Sequence, residues 1–222
     1  MMQNKQEYGQ ATTEYALLLV LVGGIVVAAL AWLGQGVYDS FREVNECIAG
    51  VKYALINSSF EDGPQISRGW RPYNSADITG WETTATDNKI EVWYTGFLGV
   101  NAPDGRYLVE LNANQPSALY QDIDSVPGER LTWSFFHRGR AGTDVMELRI
   151  GAPGATIVEE EFATGREWVK YSGLYEVPEG QTETRFEFAA VRTATGNLSV
   201  GNLLDNIQFG SPCGYEEEAQ AE

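Results

Sequence analysis

The chain has 222 residues, with 15 Lys and Arg against 31 Asp and Glu, a formal charge of −16 at pH 7. That length suits one domain of ordinary size plus an attached segment. The acid excess argues against nucleic acid as a partner, because affinity for phosphate comes from basic contacts; it favours solubility and is compatible with metal cations. The first 56 residues hold three basic and five acidic groups, so the remainder carries 12 and 26, a charge of −14.

Residues 1–9, MMQNKQEYG, read as a leader too short to fold. From Ala16 to Leu33 no residue is charged. A helix over that run would be ~27 Å long, close to the ~30 Å hydrocarbon core of a bilayer. Only Lys5 precedes the run as a basic group, and no small-residue cleavage site follows Trp32 and Leu33. These edges argue against a secretory signal, whose apolar core is about 7–15 residues. The run reads as an anchor in a membrane or a filament. Beyond it Val37, Phe41, Val44, Ile48, Val51 and Leu55 recur at threes and fours between polar residues, which predicts a helix from Ala11 to about Ile56. Glu14 at the mouth of the run is a costly carboxylate that wants a cationic partner.

Gly9, four residues, then Glu14-Tyr15 leading into the apolar run resembles the processing motif of type IV pilins. With the continuation ALLLVLVGGIVVAALAWLG it resembles the Flp branch, the pilins of tight-adherence (Tad) pili, over residues 1–45. The resemblance implies cleavage after Gly9 by a prepilin peptidase, leaving Gln10 first. It also implies that Glu14, next to Tyr15, meets the free amine of a neighbouring copy during assembly, two charges that satisfy each other in a low-dielectric bundle. The implied partners are copies of itself in a helical filament, the peptidase, the pilus assembly machinery and, before assembly, the inner membrane. The implied location is the inner membrane and then an extracellular filament. Flp subunits are usually very short, and this chain departs from them by a large extra domain. The alternative is a plain membrane anchor in which Gly9 and Glu14 have no role.

From Asn57 onward Gly, Pro, Asn and Asp punctuate short alternating runs. Strands are expected near residues 53–60, 78–84, 89–95, 107–112, 118–123, 131–137, 145–150, 156–161, 169–177, 184–191 and 198–209, the signature of a β-sandwich. Leu131, Trp133 and Phe135 share one face; Phe186 and Phe188 point opposite to Arg185 and Glu187. The expected class is α+β: a leader (1–9), a long N-terminal membrane or filament helix (10–56), an all-β jelly-roll head (57–212) and an acidic tail (213–222).

Asn57-Ser58-Ser59-Phe60-Glu61, Gly80-Trp81, Ile90-Glu91-Val92-Trp93, Asp104-Gly105-Arg106-Tyr107, Glu110-Leu111-Asn112, Leu119-Tyr120-Gln121 and Leu204-Asp205-Asn206-Ile207 occur in this order. The set resembles the galactose-binding-like jelly rolls, which include many carbohydrate-binding modules and bacterial surface adhesin domains. The resemblance implies two sheets with neighbouring first and last strands. It also implies a structural calcium near their junction, with Glu61 and Asp205 as hard oxygen ligands and Asp62 as an alternative donor; capping or salt-bridging is the other reading of these carboxylates. A sugar needs an aromatic platform and polar side chains. Trp70, Trp81, Trp93, Tyr94 and Tyr120 are the aromatic candidates, Trp81 and Trp93 reading as core, so the expected glycan set is Trp70, Tyr94, Arg138 and Arg140.

Two cysteines and one histidine do not make a zinc site. In an exported chain Cys47 and Cys213 suggest one disulfide, with free thiols as the alternative. No G-x-S-x-G, P-loop or H-E-x-x-H motif occurs, and Glu159-Glu160-Glu161 alternate between faces and make no acid–base pair. The sequence therefore reads as a non-enzymatic structural pilin subunit of a Tad/Flp-like pilus. The alternatives are a membrane-anchored carbohydrate-binding or adhesin module that does not polymerise and a minor tip pseudopilin.

Overall fold

The computed structural model describes residues 51–212, with side chains for residues 54–211. In chain order the strands are β1 (Val51–Tyr53), β2 (Trp70–Asn74), β3 (Glu82–Thr83), β4 (Lys89–Tyr94), β5 (Tyr107–Glu110), β6 (Ala118–Asp124), β7 (Arg130–Arg138), β8 (Asp144–Ala152), β9 (Ala155–Thr164), β10 (Val169–Glu176), β11 (Glu183–Arg192) and β12 (Leu203–Pro212). A 3₁₀ turn, Ser75–Asp77, follows β2. The strands form two antiparallel sheets. The seven-stranded one runs β10-β7-β12-β5-β4-β2 with β1 added on β12; the five-stranded one runs β3-β6-β11-β8-β9.

Period-two patterning places the core between these sheets. Leu131 and Phe135 on β7 and Leu204, Ile207 and Phe209 on β12 face Met146, Leu148 and Ile150 on β8 and Phe186 and Phe188 on β11, all buried. Aromatic rings bridge the layers. Phe186 stacks on Phe209 at 4.4 Å, and Phe135 meets Phe188 edge-on at 5.0 Å. Such pairs add about 0.5–1.5 kcal/mol each beyond their area.

The α+β expectation is corrected to an all-β sandwich: among the described residues there is no α-helix, and no helix is long and apolar enough to cross a membrane. The helix drawn to Ile56 fails over its last six residues, because Val51–Tyr53 pair with Gly210–Pro212 and Ala54 N–H donates to Phe209 O at 2.8 Å. A backbone donor committed to another strand cannot also close a helical turn. The pairing of β1 with β12 makes first and last strands neighbours, as the jelly-roll resemblance implies. The remainder of the expected helix, the leader, Gly9, Gln10, Glu14, Tyr15, Cys47, Cys213 and the tail lie outside the described residues.

Candidate functional site

The outward face of the five-stranded sheet carries an ordered polar strip. Its central row runs straight across the strands: Glu82, Tyr120, Glu187, Arg149 and Glu159 are register partners. Their chain neighbours Leu119, Phe186, Phe188, Leu148 and Ile150 turn into the core, which forces these side chains outward. Arg185 grips Asp122 with two bonds of 2.7 Å and lies 3.8 Å from the centre of the Tyr120 ring. Arg149 donates to Glu187 at 2.9 Å and pairs with Glu147. The bond to Asp122 raises the pKa of Arg185 above its usual value, the expected sign for a paired guanidinium. The strip thus offers an aromatic ring flanked by planar donors and acceptors already held in place. That combination suits a ring with an apolar face and a hydroxyl rim. Acids outnumber the two arginines on this face, which disfavours anionic ligands.

The opposite, seven-stranded sheet is different outside. Between Tyr94 and Tyr107 the chain folds back over it, and Phe97, Val100 and Ala102 pack on Trp93, Leu108 and Leu203 as a second small core. Beneath this cover Glu91 and Glu110 are direct register partners and nearly fully buried. Trp93 Nε1 donates to Glu91 at 2.7 Å; Arg140 donates to both oxygens of Glu110 at 2.9 and 3.1 Å and lies 4.8 Å over the Trp93 ring. Burial, compounded by the neighbouring Glu91, pushes Glu110 up to about 8. Burial also raises Glu91. His137, wholly buried between Thr164 and Asn202, is pushed down to about 4 by loss of solvent.

A third cluster lies where the β4–β5 connection meets β12. Glu61 accepts the N–H groups of Arg106 and Tyr107 at 2.6 and 2.8 Å. Asp205 accepts those of Asp104 and Asn206 at 3.0 and 2.7 Å and is wholly buried. Burial pushes Asp205 up to about 8, and the charges of Asp104 and Glu61 add to it. A buried carboxylate facing two others fits a hard cation. Among the described residues no three His, Cys, Asp or Glu side chains form a ligand set on their own, so backbone oxygens would have to complete the shell. Asp62 is exposed, and its backbone N–H and C=O are both bonded to the Asn57 side chain.

No family model matches the sequence. Several solved structures resemble the chain. A family 61 carbohydrate-binding module in complex with β-1,4-galactotriose is 15% identical, covers 72% of this chain and 98% of its own, and superposes with a TM-score of 0.48. A family 4 module is 10% identical over 71% of this chain and 99% of its own, TM-score 0.42. The CBM22-1 xylan-binding domain from Paenibacillus barcinonensis Xyn10C is 18% identical over 70% of this chain and 92% of its own, TM-score 0.39.

The glycan residues expected from sequence are spread out. Trp70 is exposed on edge strand β2, opposite Trp93. Tyr94 turns inward and meets Tyr107 edge-on at 5.9 Å. Arg140 is taken by Glu110 and Trp93. Arg138 lies at the far end of β7 beside Leu203. Trp81 is core, as expected, whereas Trp93 is buried under the folded-back segment and not between the sheets. Sequence reasoning passed over Asp104, although it opens the Asp104-Gly105-Arg106-Tyr107 motif. It also passed over the Glu91–Glu110 pair, which only strand register creates.

Proposed function

We propose that this chain is a glycan-binding module presented at the cell surface, and that it takes uncharged sugars on the outward face of the five-stranded sheet. The observation that carries this reading is the Tyr120–Arg185 stack, held by Asp122 and flanked by the Arg149–Glu187–Glu147 pairs. Binding proceeds without bond cleavage: the arginines hold Asp122, Glu147 and Glu187 in place as fixed acceptors beside the ring. A calcium ion held by Glu61, Asp205 and Asp104, completed by backbone oxygens, would pin the β4–β5 connection to β12 and supply structural charge balance. The test is titration calorimetry of the full chain against neutral oligosaccharides chosen from a glycan array. Tyr120→Ala should weaken binding roughly tenfold or more, in line with about 1–3 kcal/mol for an aromatic anchor. Unchanged affinity in that variant sinks the assignment.

A second reading concerns how the module is presented. The register of Gly9, Glu14 and the uncharged run supports processing after Gly9 and assembly of copies in which Glu14 pairs with the amine of Gln10. The chain would then sit in the inner membrane before entering a filament. The mass of the protein from native cells tests this, and an intact leader overturns it.

A further inference from the structure

We infer that the end of the seven-stranded sheet formed by Phe136, Arg138, Trp168 and Lys170 is a second saccharide site, selective for acidic sugars. Lys170 pairs with Phe136 across β10 and β7, and Val169 with His137, which sets Trp168 beside Arg138. Trp168 packs on the Leu203 cluster, and Leu203 is Arg138's register partner on β12. The four side chains therefore alternate aromatic and cation on one outward face. Lys170 Nζ lies 5.8 Å over the Phe136 ring. Trp168 Nε1 donates to Asn101 O at 2.8 Å, which fixes the plane of the indole.

Charge singles this place out. The head is strongly acidic, yet the β7–β8 and β9–β10 connections and their flanks bring Arg138, Arg140, Arg166 and Lys170 together. The two connections are tied by Gly139 N–H to Gly165 O at 2.7 Å and by Arg166 Nη2 to Ala141 O at 2.8 Å. Arg140 is spent on Glu110, but Arg138, Arg166 and Lys170 form no ion pair among the described residues. Arg138 Nε is buried and has no acceptor. Arg138 as a residue is partly exposed, and a carboxylate or sulfate on a sugar ring would grip the outer Nη1–Nη2 edge of its guanidinium in two-point fashion, with Lys170 as a second positive charge. Trp168 and Phe136, both partly exposed, would take the apolar face of the ring. Asp205, the partner of Phe136 on β12, is buried and accepts the backbone N–H groups of Asp104 and Asn206, and Glu167 is the one acid in the β9–β10 connection.

The test is calorimetry of the full chain in detergent with three probes: trigalacturonate, neutral galactotriose and a sulfated galacto-oligosaccharide. The acidic probes should bind roughly tenfold tighter to this site than the neutral one and weaken several-fold between about 0.05 and about 0.5 M NaCl. Arg138→Ala with Lys170→Ala should abolish acidic binding and leave neutral binding intact, with an unchanged melting temperature showing that the fold survives. Arg138→Lys, which keeps the charge but not the planar fork, should recover only part of it. Trigalacturonate alone assigns the site to uronates, the sulfated probe alone to sulfate esters. Acidic probes that bind no better than neutral ones, or as well in the double variant, overturn the inference. Neutral binding that ignores Tyr120→Ala would count against the five-stranded face only.

Discussion

Glu91 and Glu110 stand directly opposite one another on β4 and β5, both almost without solvent, with Arg140 bonded to one of them and Trp93 to the other. Two such carboxylates cannot both be ionised cheaply beside a single guanidinium. Burial and the neighbouring acid therefore keep a proton on the pair, with Glu110 shifted up to about 8. In the unfolded chain that proton is lost near pH 4.5.

The folded state thus binds more protons than the unfolded state between these limits, and stability from this pair falls as pH rises. Well above its unfolded value of 6.5 His137 is neutral in both states, whereas Asp205, also raised to about 8, loses its proton in the same window and adds to the fall. Denaturation midpoints should fall between about pH 7 and 9, with a loss on the order of 1 kcal/mol from this pair. Glu110→Gln should lower this slope and leave the part that belongs to Asp205, which burial also raises to about 8. A slope that is identical in the variant would place the pH dependence elsewhere.

Gly105 has φ 62, and a Cβ there would come within 2.3 Å of Glu61 Oε1. Gly105→Ala should therefore destabilise the head by about 1–3 kcal/mol through backbone strain and displacement of Glu61. Chemical denaturation measures this directly. A neutral outcome would mean that the β4–β5 connection is not held where the bonds of Glu61 put it.

Calcium should raise the melting temperature of the wild-type chain, and a chelator should reverse the rise. At a hundredfold excess over Kd the gain is about 2.7 kcal/mol. Asp205→Asn should lose the calcium response, and Asp62→Asn should keep it, since Asp62 lies apart on an exposed turn. Equal responses in wild type and Asp205→Asn would remove the ion from this cluster.

Phe135 is fully buried and touches the rings of Trp133, Phe162, Tyr171 and Phe188 at 5.0–5.8 Å. Phe135→Ala leaves a cavity at the meeting of the two sheets and should cost about 3–5 kcal/mol. Phe136→Ala, one residue along but on the outward face, should cost far less. Urea midpoints of the two variants make the comparison, and similar losses would contradict the assignment of faces.

The strands that face the core were readable in the chain itself. Leu131-Thr132-Trp133-Ser134-Phe135 and Arg185-Phe186-Glu187-Phe188 alternate because a pleated strand sends successive side chains to opposite sides, and one side of each faces the core between the sheets. The edge strand β2 was not readable, since Trp70-Arg71-Pro72-Tyr73-Asn74 is mostly exposed and contains a proline, and so lacks both alternation and a full set of donors. Residues 51–56 fitted a helical period, but period is local, whereas residues 51–54 bond to β12 and Ile56 bonds to the Gln121 side chain on β6, all distant in sequence. Of the site, composition and motif could propose Tyr120, Glu61 and Asp205 as candidates. Which arginine stacks on Tyr120, that Arg140 is consumed by a buried acid pair, and that Arg138 and Lys170 stand beside Trp168 were decided by strand register. Register depends on how whole sheets pack, and no single stretch of sequence contains it.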